Sequence, residues 1–244
     1  MREVGILVRR ELHSYFSSPI AYVFGGLFLL VLTYFTVPNM IVHGQAASMQ
    51  VFFSMLPIWF LVFVPPLTMR SWAEERKMGT LELLLTFPVT VPQVIASKFL
   101  ASLIFFAFVL ALTLGIPLTL SMYAQFDWGP VVTAYGAALL LAAAYISVGM
   151  FCSSITRDQL VAMLLALVVL MALTVFGTPW FQLTAEEALP GWLLSALSVV
   201  SPSTYFESIA RGVVDTRDLL FYVCFCGFFL YLNVMALQGR RLKG

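Results

Sequence analysis

Six long apolar runs divide the chain: Ile20–Val42, Val51–Met69, Phe99–Tyr123, Val131–Cys152, Leu160–Phe181 and Leu219–Leu237. None contains Asp, Glu, Lys, Arg or His. A spanning helix needs about 20 mainly apolar residues. A charge at mid-membrane costs at least ~2.5 kcal/mol on insertion scales, so six uncharged runs predict an all-α integral membrane protein with six transmembrane helices. His43–Gln50 and Ala124–Pro130 read as short external turns, and Ser153–Gln159 as a tight internal one. Two polar stretches are long enough to fold: 70–98 between the second and third spans, and 182–218 between the fifth and sixth.

Ahead of the first run, in residues 1–19, Val4, Leu7, Val8, Leu12, Tyr15 and Phe16 recur at helical spacing, while Arg2, Arg9, Arg10 and His13 fall largely elsewhere. This predicts an amphipathic helix lying in the inner interface, ended by Pro19. The first apolar run is too long for the h-region of a cleavable signal, and none is expected.

In the inner stretch, Ser71-Trp72-Ala73-Glu74 fits a capping box, and a short helix should run to Met78, where Gly79 breaks it. Thr80 can cap a second short helix, Leu81 to Phe87, which Pro88 ends. Pro92 suits the first turn of the next helix. Glu74, Glu75, Arg76, Lys77 and Glu82 supply a charged face, and Trp72, Leu81, Leu84 and Leu85 an apolar one. Such a piece suits a groove on a protein partner, and a solvated basic loop is the alternative. In the outer stretch, Leu189, Trp192, Leu193, Leu194, Leu197, Val199 and Val200 are too apolar for a free loop, yet too few to span. A re-entrant or surface-lying helical piece is expected. Thr204-Tyr205-Phe206-Glu207 is a second capping-box match, Gly212 suits a helix C-terminus, and Asp215 can cap the last span.

Composition narrows the class. The chain is 61% hydrophobic and 10% charged, against roughly 25% charged for a soluble domain. A net charge of +1 gives no pull toward nucleic acid. Eleven of the 13 Lys and Arg residues fall on one side of the six-span arrangement; only Arg211 and Arg217 fall on the other. The positive-inside rule therefore puts both termini in the cytoplasm. Cys152, Cys224 and Cys226 read as packing residues. Gly25-Gly26 and Gly136-Ala137-Ala138 mark candidate close helix contacts.

No chemical engine is visible. There is no G-x-x-x-x-G-K-[ST] phosphate loop and no H-E-x-x-H zinc site. His13 and His43 fall on opposite faces, and no intramembrane Asp pair or Ser/His pair is available. No buried carboxylate is expected to relay protons or sodium. No catalytic residue, metal or cofactor is therefore expected on this chain, and transport would draw its energy from another subunit.

The run Glu74-Glu75-Arg76-Lys77-Met78-Gly79-Thr80-Leu81-Glu82-Leu83-Leu84, followed by Pro88, resembles the cytoplasmic motif of ABC-2-type transporter permeases. Lys98 at the head of the third span is similar, as is Arg10-Glu11-Leu12-His13-Ser14-Tyr15-Phe16 with Ser18-Pro19. Ser201-Pro202 through Glu207, Arg211-Gly212 and Asp218 resemble the family's segment before its sixth helix. The nearest branch is that of the gliding-motility and copper-enzyme-maturation permeases, with small external domains.

The resemblance implies a single permease domain, residues 1–244, in a prokaryotic inner membrane. A second permease copy or homologue would pair with it. Two cytoplasmic ABC ATPase subunits, which carry the ATP and Mg, would dock on the pair, and a periplasmic or membrane accessory subunit is compatible. Glu74, Glu75, Gly79, Thr80, Glu82 and Pro88 would form the ATPase-coupling element. Glu75 and Glu82 would orient against the partner, with Gly79-Thr80 setting the bend. Pro202, Glu207 and Gly212 would belong to an external gate. An exporter is the leading expectation. A complex that transmits mechanical or regulatory movement without moving solute is the rival, since the spans show little polarity beyond Asn233 and Asn39.

Overall fold

A computed structural model describes residues 2–42, 49–79, 90–122, 128–186, 189–210, 212 and 215–241. Among them all regular structure is helical: α1 (Arg2–Ser17), α2 (Pro19–Val42), α3 (Gln50–Thr68), α4 (Arg70–Lys77), α5 (Val91–Leu112), α6 (Gly115–Leu120), α7 (Trp128–Ile155), α8 (Gln159–Phe176), α9 (Pro179–Ala185), α10 (Gly191–Val200), α11 (Pro202–Ala210) and α12 (Thr216–Arg241). Six helical stretches are long and apolar enough to cross a membrane: Ala21–Pro38, Gln50–Lys77, Val91–Leu120, Trp128–Ile155, Gln159–Phe176 and Thr216–Gly239. The chain is a multi-pass membrane protein of the predicted class.

The axis of the bundle is α7. It is rich in alanine, and Ala134, Ala137, Ala138, Leu141, Ala142, Ala144, Tyr145 and Ile146 are all buried. Small side chains let neighbouring backbones approach closely, so α3, α5, α8, α11 and α12 all pack on this one helix. Gly149 is the closest such approach, because a Cβ there would overlap the Thr68 side chain of α3. The expected contact glycines fare differently. A Cβ on Gly25 would meet Val109 at 3.5 Å, whereas Gly26 and Gly136 face open space.

A second layer is aromatic. Phe28 of α2 meets Phe63 of α3 edge-on at 5.2 Å, and Phe60 meets Phe106 of α5 at 4.7 Å. On the other side of α5, Tyr15 stacks on Phe105 at 5.4 Å, and Phe16 touches both Phe105 and Phe108. These contacts draw the apolar stripe of α1 onto α5. Ser18 separates α1 from α2, which begins at Pro19. Proline fits a first helical turn because the missing N–H has no intrahelical partner there.

Three boundaries depart from expectation. The helix after the second span begins at Arg70, and Ser71 is not its cap. The fifth span ends at Phe176, not Phe181, where Gly177 lies so close to Ser201 that a Cβ would overlap its hydroxyl. The outer capping box at Thr204 does not form: α11 starts two residues earlier, at Pro202, and Thr204 donates to the Ser198 carbonyl. The helix of the third span begins at Val91, with Pro92 in its first turn as expected, and is capped reciprocally by Thr90 and Gln93. Asp215 does cap α12, its carboxylate accepting from Arg217 N at 3.0 Å.

Candidate coupling site

The inner end of the bundle gathers α1, α4 and the head of α5 around one cation. Lys98 sits two turns into α5, and its side chain is 6% exposed. Its ammonium meets Glu75 Oε1 of α4 at 2.7 Å and Glu11 Oε2 of α1 at 3.2 Å. It also stands 5.2 Å from the ring centre of Trp72, in reach of a cation–π attraction. Arg10 closes the set by binding Glu11 Oε1 at 2.8 Å. Two carboxylates around one buried lysine satisfy a charge that would otherwise be costly to desolvate. Burial alone would raise the Glu11 carboxyl, but the Lys98 charge, with the hydrogen bonds and charge of Arg10, outweighs it and holds the pKa below its ordinary value. Tyr15 completes the α1–α5 seam by donating to Ser102 Oγ at 2.8 Å.

α4 is fastened to the end of α7 by two further devices. Ser153 Oγ donates to the Met69 carbonyl and accepts from the N–H groups of Trp72 and Ala73 at 3.1 and 3.2 Å. The Ser153 side chain is thereby inserted where α3 gives way to α4, and an inserted side chain of this kind is a recognised cause of a helix break. This is why α3 and α4 are separate, and why the cap comes from α7 and not from Ser71. Arg76 donates to the carbonyls of Thr156 and Ser154, placing a cation at the negative end of α7. α4 then stops at Gly79, whose φ of +68° lies where glycine is favoured.

Of the sequence-predicted coupling residues, Glu74 lies on the outer side of α4, half-buried, 3.8 Å from Arg70 Nε. Glu75 turns inward to Lys98, and Gly79 ends the helix. Thr80, Glu82 and Pro88, with the second short helix expected at Leu81–Phe87, lie outside the described residues. Between α1 and α4 opens a cleft of about 380 Å³ whose walls include Arg10, Glu11, Tyr15, Arg70, Glu75 and Lys98.

The candidate gate residues occupy a separate place. Pro202 is buried at the head of α11, and its carbonyl accepts from Tyr222 of α12 at 2.7 Å. Next to it, Ser203 donates to the Thr174 carbonyl of α8 at 3.2 Å, and Tyr145 of α7 donates to Thr174 Oγ1 at 2.6 Å. Tyr145 lies ten residues before the end of α7, or about 15 Å at 1.5 Å per residue. The α10–α11 turn therefore reaches roughly halfway down the central helix. Glu207 faces outward on α11, and Gly212, at φ +90°, lies against Pro130 near the start of α7. Of the gate residues, Gly212 thus lies at the far end of this 28-residue helix from Ser153, roughly 35 Å along its axis, while Pro202 lies near its middle.

Two polar side chains are buried without full hydrogen bonding. Asp218 is 7% exposed at the head of α12, with one carboxylate oxygen making no hydrogen bond. Asn233 is fully buried with neither amide atom hydrogen-bonded. Among the described residues no cluster of three or more His, Cys, Asp or Glu could hold a metal.

The family model for the ABC-2 family transporter protein matches residues 26–223 of the chain. Comparison with curated proteins finds no match.

Proposed function

The chain belongs to the ABC-2 family of transporter proteins, as a membrane permease subunit of an ABC transporter, and from that premise we propose that α4 is the lever through which a separate ATPase drives export. One observation supports the reading most: α4 is bound rigidly to both α1 and α7. Lys98 joins it to α1 and α5, and Ser153 and Arg76 join it to α7. A push on α4 therefore cannot be absorbed locally. It must move α7, whose far end carries Gly212 and the gate segment.

In this mechanism two ATPase subunits, loaded with ATP and Mg, close beneath a pair of permeases. Glu74, Gly79, Thr80, Glu82 and Pro88 form the docking element, and Glu75 holds that element in register by engaging Lys98. The movement travels along α7 to the α10–α11 hairpin. There Pro202 is the pivot, held by Tyr222, while Glu207 and Gly212 flank the opening. Both termini and α1 lie at the cytoplasmic face, a reading the basic flanks support, and the family resemblance favours a prokaryotic inner membrane. Short external segments favour the gliding-motility and copper-enzyme-maturation branch. A mechanical complex without solute would use the same lever.

The test is charge reversal at Glu74 and Glu82 to Lys, leaving Glu75 in place because it holds Lys98. ATPase association and ATP turnover are then measured in membranes. Loss of both is expected. Unchanged association and turnover would remove the coupling role.

A further inference from the structure

The cleft between α1 and α4 carries more polar capacity than its own ion pairs use. Arg70 Nε is buried yet makes no hydrogen bond, and Glu74 Oε2 stands 3.8 Å from it. The neighbouring Ser71 hydroxyl is buried and makes no short hydrogen bond, with the Tyr15 hydroxyl as its polar neighbour. Both line the cleft. Two adjacent donors whose partners hold them only at long range mark a place for an anionic oxygen. The wall is nevertheless neutral, since Arg10, Arg70 and Lys98 are matched by Glu11, Glu74 and Glu75. A bare anion would satisfy Arg70 and Ser71 but strand Glu74.

An apolar crevice lies next along the same helices. Phe24, Gly25 and Phe28 of α2 face Phe63 of α3 and Phe105 and Val109 of α5 around a space of about 20 Å³. Ser18 borders the cleft and Ala21 the crevice, so the two are one helical turn apart on the chain. Along α5, Lys98 and Phe105 are seven residues apart, or roughly 10 Å. Beyond the crevice, Leu27 and Phe108 present exposed apolar surface.

We propose that the cleft holds the headgroup of a zwitterionic, amine-bearing phospholipid of the inner leaflet, with one acyl chain passing over the mouth of the crevice. The phosphate accepts from Arg70 and Ser71, and the ammonium faces Glu74. The bound lipid then fills the gap between α1 and α4 and ties α4 to the bilayer. The orientation rests on the membrane placement above, but the binding test needs no ATPase, so its outcome is independent of the coupling reading.

The purified full chain in detergent is incubated with equal amounts of phosphatidylethanolamine, phosphatidylcholine and phosphatidylglycerol of identical acyl chains, and retained lipid is read by native mass spectrometry. Preferential retention of phosphatidylethanolamine is expected. Arg70→Gln should lower that retention roughly tenfold, the loss of a charge-assisted hydrogen bond. Glu74→Gln should shift preference toward phosphatidylglycerol, and Gly25→Leu, which fills the crevice, should weaken all three lipids. Equal retention of the three lipids by the wild type, or its preference for phosphatidylglycerol, would overturn the proposal without recourse to any variant. Displacement of the lipid by millimolar inorganic phosphate alone would overturn it too, by revealing a simple anion site.

Discussion

Lys98 Nζ stands 2.7 Å from Glu75 Oε1, so the third span holds the short helix that follows the second. Glu11 makes the same lysine a three-way joint. Removing Lys98 takes the shared cation from two carboxylates, each under a fifth exposed, and leaves Glu11 the outward-lying Arg10. Breaking a buried pair in this way costs about 3–5 kcal/mol. Lys98→Ala should therefore lower the thermal midpoint sharply in detergent. The triple replacement Lys98→Met, Glu11→Gln, Glu75→Gln should recover most of the loss, because no buried charge is then left alone. A triple variant as unstable as Lys98→Ala would show that the joint is not electrostatic.

Acid should loosen the same joint. The Glu11 carboxyl is held below its ordinary value of 4.5. A depressed carboxylate contributes stability above its unfolded pKa and loses it as pH falls through the folded one. Stability should hold from neutral pH down to about 4.5 and decline below, and Glu11→Gln should flatten that decline. Thermal melts at stepped pH measure it; an unaltered acid limb in the variant would contradict the assignment.

The bundle was legible from residue pattern because uncharged runs of about 20 residues have few other uses. All six spans follow from it, as do the amphipathic stripe of α1, the stop at Gly79 and the cap at Asp215. The joint was not legible, since nothing in local spacing brings Glu11 to a lysine 87 positions away. The one available signal was Lys98 itself, a lone charge at the head of an apolar run, which had to find a partner. The failed caps have a common cause. Ser71 and Thr204 match the local motif, but Ser153 and Pro202 set those helix starts through tertiary contact and proline geometry.

Ser153→Ala tests the fastening of α4 to α7. It strips the buried N–H groups of Trp72 and Ala73 of their acceptor, at about 1–3 kcal/mol for an unsatisfied donor. Hydrogen exchange at these two amides should accelerate while the outer half of α7 keeps its protection. Equal exchange in the two proteins would show that the hydroxyl does not hold the helix.

Gly149→Ala should destabilise by about 1–3 kcal/mol, the usual range for overpacking. The new Cβ would overlap Thr68 Oγ1 and lie 2.9 Å from Thr68 Cβ. Thr68→Ala should rescue it only in part, since the hydroxyl goes but the Cβ stays. Thermal midpoints of the two singles and the double decide this, with full additivity counting against the contact.

The lever itself is tested most directly at Met78, which is 63% exposed beside the end of α4. A benzophenone side chain placed there and irradiated in native membranes should capture a cytoplasmic polypeptide bearing an ATP-binding phosphate loop, with a yield that changes when nucleotide is added. Capture of lipid alone, or of a protein from the outer face, would contradict the coupling of α4 to an ATPase.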